Sequence, residues 1–439
     1  MNQPINFQNN SAFYSTQGEL IESLNITTIN HDQIFLYGKE IELQNKIKQL
    51  INNGLPIRAH GASHSNYFDN AFYKTFNKIN LSNYVIPPTI NRDILTASAG
   101  DNLDNLRNFL KPYNLKLLAT PESKFITLGG AVLVGAHHGS HLHKTMADYV
   151  TEMLLFDANG DVKRITDKNL FVNFGLYGIV FRISIKCFPA TNIYWKRILH
   201  DNINDIVITP NTHSLVFGPY SKKILEAQMF PTDVPPNKSI NRYLWEIVPS
   251  LLSTQYITKV VSNFSRFMFY VFPFMGLIVS EYFVHEPSTV RDKFDYFELA
   301  PQTNVYTQEY AVDIGVLKNV YFEMMQLIDA YRQTGTYVSY RFWVRFVPKS
   351  DVPNTLSYDN DSAVFEVTYS KDQPNAYNFA LDIDKIFRKY NGKPHIGKTL
   401  ISTDSLSNYD FEQLKKQILQ YDPKGIFQNS FIKEVLSKH

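Results

Sequence analysis

The chain has one cysteine, Cys187, among 439 residues, which excludes an internal disulfide and any metal site built on paired thiolates. No block of like charge runs through it. Its 43 lysines and arginines nearly balance 41 aspartates and glutamates, so the basic footprint of a nucleic-acid binder is missing and no such partner is expected. The N-terminal stretch MNQPINFQNNSAFYSTQGE is polar and Asn-rich, without the charged start and apolar core of a signal peptide. The most apolar window, FMFYVFPFMGLIVS at 267–280, contains a proline and falls short of the roughly 20 residues that span a bilayer. It is read as a buried core segment. No transmembrane segment is expected, and the expected location is the cytoplasm, or outside the cell by a route without a cleaved signal. The sequence also lacks HExxH, a carboxylate pair at helical spacing beside its histidines, GxGxxG and a Walker loop. A Rossmann reading therefore fails, and no metal is expected even though His60, His64, His137, His138, His141 and His143 fall in two clusters.

What is present suits a folded protein of two or three domains: 44% hydrophobic residues, with 27 tyrosines and 32 phenylalanines to shape an apolar pocket. Leu43, Ile47, Leu50 and Ile51 share one face of a helix that Gly54 closes, and the strand LPIRA follows. A second helix carries Leu103, Leu106, Phe109 and Leu110 and stops near Pro112. Asn159-Gly160 joins two strand-like runs as a hairpin, and GLYGIVFRISIKCFPA is a glycine turn feeding a strand. In SAVFEVTYS, Ala363, Phe365, Val367 and Tyr369 alternate onto one face, and Asp410 with Gln413 has capping-box spacing. The class is α+β. Two short stretches carry chemistry. GASHS at 61–65 ends a strand with small residues beside a histidine, which allows approach to something flat and wide or is an ordinary turn. GGAVLVGAHHGS at 129–140 has four glycines whose backbone can approach a ligand and cradle a phosphate, or is a tight turn between strands.

In order along the chain, GASHS, LTASAGDNLDNLRNFLKPYNLKL, ITLGGAVLVGAHHGS, the hairpin and FGLYGIVFRISIKCFPA resemble the FAD-linked oxidases of the vanillyl-alcohol oxidase type. KPHIGKTL at 393–400 and YDPKGIFQNSFI at 421–432 are similar to motifs of the aldonolactone and alditol oxidases within that group. The resemblance implies an FAD-binding domain over residues 1–190, a cap or substrate domain over 191–390, and a segment at 391–439 that completes the flavin site. It implies that His60, Gly61, Ala62, Ser63, His64 and Ser65 form a cofactor turn, with His64 joined covalently to the 8α-methyl of FAD. Gly129, Gly130, Gly135, Ala136, His137, Gly139 and Ser140 would wrap the pyrophosphate through backbone amides, with Gly178 and Ile179 also on the cofactor. His395 and Lys398 would lie on the flavin and, with Arg345, form the catalytic group; Trp343, Arg345 and Ser357 would face the substrate.

Three departures from the family pattern stand out. His138 occupies the place of a glycine, or marks an insertion, and Ile396 replaces a tryptophan. Trp343 stands where Glu-x-Arg has its glutamate, which predicts loss of a hydroxyl acceptor, an aromatic wall in its place, and weak binding of small polyols. The implied reaction is oxidation of a CH–OH group in a sugar lactone, polyol or related alcohol, with hydride passing to flavin N5 and oxygen reoxidising the flavin to give hydrogen peroxide. Two other readings stay open at this point: a flavin dehydrogenase for a bulkier alcohol or amine with another acceptor, and a non-catalytic flavin-binding or interaction protein.

Overall fold

The computed structural model describes residues 12–14, 20–23, 25–29, 32–54, 56–63, 77–121, 125–139, 142–236, 288–293, 305–336, 338, 342–371 and 374–438. His64, Ser65, Ser140, His141 and the 267–280 window lie outside them. Helix α1 (Gly38–Asn52) buries Leu43 and Ile47, and Gly54 after it takes φ +67°, the left-handed turn that glycine enters without a Cβ penalty. The chain then forms a short parallel pair, β1 (Ile57–His60) with β2 (Asn77–Asn80).

A five-stranded antiparallel sheet follows, built from β3 (Thr89–Asn91), β4 (Ile94–Ser98), β5 (Val150–Phe156), β6 (Val162–Ile165) and β7 (Ile179–Lys186) in the order β6-β5-β7-β4-β3. Helix α2 (Leu103–Leu110) is capped by Asn102, whose side chain accepts the Asp104 N–H at 2.7 Å, and it buries Leu103, Leu106 and Leu110. The β5–β6 hairpin forms, but its connection is a wider loop than a two-residue Asn-Gly turn. The Asp157 carboxylate accepts the N–H groups of Asn159 and Asp161, each at 2.9 Å, and so organises the whole connection.

The second half is one eight-stranded sheet. Its strands are β8 (Asn192–His200), β9 (Thr212–Phe217), β10 (Ile224–Thr232), β11 (Thr289–Arg291), β12 (Val305–Asp313), β13 (Phe342–Val347), β14 (Ser362–Ser370) and β15 (Lys393–Pro394), ordered β11-β8-β10-β9-β13-β14-β12-β15. Strand alternation divides its side chains. Ala363, Phe365 and Val367 of β14, with Tyr310 and Val312 of β12, are buried in a core shared with helices α4 (Leu317–Gln333) and α5 (Ala376–Lys389). Tyr310 stacks on Phe387 of α5 with ring centroids 4.5 Å apart. The opposite face carries Glu309, Glu366 and Arg345 and meets the first half of the chain, where His137 touches Glu309.

The last segment returns to the first core. Ile396, Leu406, Phe411, Leu414, Ile418, Phe427 and Ile432 pack with the residues of the five-stranded sheet. Helix α6 (Phe411–Tyr421) is capped by Asp410, which accepts the Gln413 N–H at 3.1 Å. Beyond it Asp422 accepts the N–H groups of Ile426 (2.7 Å) and Phe427 (2.9 Å) and so holds the DPKGIF turn closed. That turn is fastened to β1: Ile57 N–H donates to Ile426 O at 2.8 Å, and Arg58 donates to Phe427 O (3.0 Å), Phe174 O (2.8 Å) and Gly175 O (3.1 Å). One buried guanidinium thus joins the strand entering GASHS to two other segments. Truncating it strands three carbonyls, so Arg58→Ala is expected to lose about 3 kcal/mol of stability by urea unfolding. A midpoint indistinguishable from the unmodified protein contradicts this role.

Candidate active site

Turns without side chains converge beside β1. A Cβ on Gly61 would lie 2.1 Å from Thr127 Oγ1, one on Gly129 would lie 2.8 Å from the Ala99 Cβ, and one on Gly100 would lie 2.1 Å from Leu81 O. Gly61 is therefore pressed against Thr127, the residue that caps helix α3 (Leu128–Val132), and α3 against the residue that follows β4. Ser63 takes φ +57°, and His60 Nδ1 lies 2.9 Å from Ser63 Oγ, which ties the turn to its strand. Among the described residues no hydrogen bond uses the N–H of Ala62 or Ser63. Closely packed glycine turns beside such amides fit a dinucleotide cofactor whose phosphates need backbone approach and N–H donors.

The 129–140 stretch behaves differently from the expectation. Its first part is helix α3 rather than loop, and its amides are engaged: Gly129 N–H donates to Ala99 O (2.8 Å), Gly130 N–H to Thr127 Oγ1 (3.3 Å) and Gly135 N–H to Val132 O (3.0 Å). Those three amides are not open donors for a pyrophosphate. Gly135, with φ +63°, and Gly139 instead allow contact with the second half of the chain. Cβ atoms there would meet Thr355 at 3.2 Å and the Arg345 Cβ at 3.1 Å, respectively. Ala136 is buried in the first core. Gly178 is required by packing, since its Cβ would lie 2.4 Å from Phe156 O, and Ile179 is in the same core.

On the sheet face opposite the helices, Glu309 of β12 and Glu366 of β14 are register partners, and Trp343 of β13 is the next in the row. Two carboxylates directly opposite on adjacent strands repel, so this arrangement requires compensating cations. They come from elsewhere. Lys398 Nζ lies 3.5 Å from Glu309 and 3.7 Å from Glu366, and Arg345 Nη1 donates to Glu366 Oε2 at 2.7 Å. Lys398 reaches the row because His395 N–H donates to Glu309 O at 2.7 Å and Lys398 N–H closes a turn onto His395 O at 3.0 Å. Ile396 between them is buried in the first core, which is where the apolar residue of HIGK goes. Burial alone would raise Glu309, but Lys398 and the His137 hydrogen bond hold it well below the usual carboxylate range. Glu366 is lowered by Lys398 and Arg345 against the same burial. Lys398 is raised, since Glu366 and Glu309 outweigh the cost of burying an ammonium. The row is thus two anions and two cations.

Imidazoles line both ends of this row. His137 Nε2 lies 2.7 Å from Glu309 Oε1, and His395, Glu309 and His137 bring potential ligand atoms within 4.8 Å of one another, a grouping the sequence did not reveal. A dication fits it poorly. His395 Nδ1 already accepts the Gly397 N–H at 2.8 Å, so neutral His395 carries its proton on Nε2, and the Lys398 ammonium already neutralises the carboxylate. Burial pushes His395 down to about 4. At the other end a β-bulge between Thr212 and Ser214 sends His213 inward, where its Nε2 lies 3.1 Å from His138 Nδ1. Trp195 packs edge-on to His213, with ring centroids 4.5 Å apart. Burial drives His138 down to about 3 and His213 well below its ordinary value, so both are neutral. The histidine in place of a glycine is therefore a bridge from the glycine loop to the substrate-side sheet.

The structure brings together Arg345, Lys398, His395, His137 and Gly139 from the sequence expectation. It does not connect Ser357, whose carbonyl accepts the Ser350 N–H at 2.9 Å and whose buried hydroxyl has no partner among the described residues. Trp343 is not a bare aromatic wall, because Arg345 Cζ sits 4.6 Å from its ring centroid. A carboxylate stands beside it, since Glu366 on the next strand is its register partner. Glu309, Glu366 and His213 were missed, since each joins the site through pairing or a bulge rather than a local motif. The alternation in SAVFEVTYS, which puts Glu366 opposite the core residues, was the available signal.

Residues 198–435 match the family described as D-arabinono-1,4-lactone oxidase, and residues 32–166 match that described as FAD binding domain. The chain belongs to the D-arabinono-1,4-lactone oxidase family. It is an FAD-dependent oxidase acting on CH–OH donors, in place of the non-catalytic alternative. L-gulonolactone oxidase of Mus musculus is 22% identical over 373 residues, covering 78% of this chain and 80% of that one. The Bos taurus enzyme of the same name is 21% identical over 385 residues, covering 80% and 83%. Decaprenylphosphoryl-beta-D-ribose oxidase of Mycolicibacterium smegmatis is 30% identical over 111 residues, covering 23% and 24%. Cholesterol oxidase from Brevibacterium sterolicum superposes with a TM-score of 0.73 at 14% identity, covering 99% of both chains, which shows the fold. No helix among the described residues is long and apolar enough to cross a membrane.

In this family member, buried neutral histidines make stability depend on pH. His138, His213 and His395 have folded values below 6.5, so the unfolded chain takes up protons first as pH falls. Their contribution is complete above the unfolded value and is lost as pH drops from about 6.5 toward 4, at up to about 1.4 kcal/mol per pH unit for each histidine. Urea midpoints are expected to fall steeply between pH 7 and 5. A flat profile over that range contradicts the neutral, buried assignment.

Proposed function

We propose that the substrate is a sugar lactone and that Arg345, Glu366, Lys398 and Glu309 form the surface against which it reacts. The observation that carries this reading is the charge-balanced row itself: two fixed cations and two carboxylates on the sheet face that meets the glycine turns of the FAD-binding part. The family match and the L-gulonolactone oxidase relatives support a lactone over an acyclic polyol or an amine. Bound FAD supplies the hydride acceptor and passes the electrons to oxygen. The chain does the rest. Arg345 and Lys398 face the substrate oxygen and stabilise the negative charge that develops there as its hydroxyl proton is lost to water and the hydride leaves the adjacent carbon, while the carboxylates keep both cations fixed and in place. His395, neutral with its proton on Nε2, is a donor and not a base. His64, which follows β1 in the sequence, is proposed as the covalent anchor of the flavin, supported by the small residues Gly61 and Ala62 before it.

The purified protein is expected to be yellow, to lose its flavin colour anaerobically on addition of D-arabinono- or L-gulono-1,4-lactone, and to release peroxide in air. Lys398→Ala and Arg345→Ala are each expected to slow flavin reduction by about 100-fold, the equivalent of roughly 3 kcal/mol. Unchanged rates in both variants contradict the catalytic row, and reduction by sorbitol but by neither lactone contradicts the substrate class. Acid denaturation is expected to leave the flavin on the chain, and on His64→Ala to release it. Complete release from the unmodified chain excludes His64 as an anchor.

A further inference from the structure

We infer that Glu366 is the specificity-determining carboxylate of the site: it accepts a hydrogen bond from a substrate hydroxyl next to the reacting carbon, and it replaces, from the neighbouring strand, the acid that this chain lacks at position 343. The inference rests on the lactone reading above and refines it. Trp343 and Glu366 are register partners on β13 and β14, so their side chains leave the same sheet face side by side. Moving a carboxylate from one to the other shifts it by one strand spacing and keeps it beside Arg345. The indole that fills position 343 is not idle, since it lies under the Arg345 guanidinium while Glu366 holds that group from the side. Among the described residues Trp343 and Glu366 both hold Arg345 and set its direction.

The two carboxylates of the row are not equivalent. The Glu309 side chain is 3% exposed, with Oε1 taken by His137 and Oε2 beside Lys398. The Glu366 side chain is 16% exposed, and Arg345 and Lys398 share its Oε2. No hydrogen bond between described residues uses Glu366 Oε1. A carboxylate oxygen is an acceptor only, so the group that suits it is a hydroxyl. With Arg345 donating alongside, the pair reads a carbon that bears one hydroxyl next to another oxygen, as in the ring of a hydroxylated lactone. A ring lacking that hydroxyl leaves the carboxylate desolvated and unpaired, which a site of this kind rejects.

The test compares the FAD-loaded full chain with Glu366→Gln, Glu366→Asp, Glu366→Thr and the double variant Glu366→Thr/Trp343→Glu. The ligands are a reducing hydroxylated lactone and its deoxy analogue lacking the hydroxyl beside the reacting carbon. Anaerobic flavin reduction gives rates and KM, and perturbation of the flavin spectrum gives dissociation constants where no turnover occurs. The unmodified protein is expected to favour the hydroxylated ring by on the order of 30-fold. Glu366→Gln is expected to raise KM for it at least tenfold, with the deoxy analogue changed less than threefold. Glu366→Asp is expected to keep most of the preference, and the double variant to regain at least part of what Glu366→Thr loses. Undiminished discrimination in Glu366→Gln overturns the assignment. So does equal loss on both ligands with flavin content and urea midpoint intact, because a group that only balances charge affects both alike. Failure of every lactone to reduce the unmodified protein counts against the lactone reading alone, since the dissociation constants still decide Glu366.

Discussion

The site depends on one constraint: two carboxylates stand opposite each other on adjacent buried strands, and neither is tolerable there without a cation. Glu309 and Glu366 are placed by sheet register, which is set by the apolar residues that alternate with them onto the helix-covered face. Once register fixes the carboxylates, the cations must come to them. Lys398 arrives from the turn after β15 and Arg345 from the neighbouring strand, so four residues from separate stretches of chain lock together. A group of this kind adds little net stability, because desolvation offsets most of the attraction. What it adds is a fixed arrangement of charge in a partly buried place, which is useful to a reaction in which negative charge develops on oxygen.

The rest of the fold keeps the two halves of the chain at this row. His137 and the His138–His213 contact reach from the FAD-binding part to the sheet, and Gly135 and Gly139 let the backbone come close enough for them to do so. The bulge at His213 is the local irregularity that turns an imidazole inward. At the back, Arg58 and Asp422 fasten the C-terminal turn to β1, so the strand leading into GASHS is held by a segment from the far end of the sequence. Of these, His138 and His213 are held neutral by burial, which makes their contact sensitive to acid.

Much of this was legible in the residues. The helices at Gly38–Asn52 and Phe411–Tyr421, the alternation of Ala363 to Tyr369 and the convergence of Arg345 and Lys398 on one place follow from periodicity, caps and motif resemblance. Sequence reasoning failed wherever the decisive fact was a neighbour across strands. The carboxylate beside Trp343, Glu366, is distant in sequence and adjacent only through register. The glycines at 129 and 130 were read as amides waiting for phosphate, yet a five-residue helix capped by Thr127 engages them. Small residues mark close approach, but the sequence does not say whether the approaching body is a ligand or another part of the chain.

In the proposed arrangement the flavin's reactive edge and the four-charge row face each other across the substrate. A crystal structure of the FAD-loaded protein with a bound lactone tests this most directly. The flavin ring is expected beside the 60–63 turn, with the lactone between it and the side chains of Arg345, Lys398 and Glu366. A flavin bound elsewhere, or a lactone out of hydrogen-bond reach of all three side chains, would contradict it.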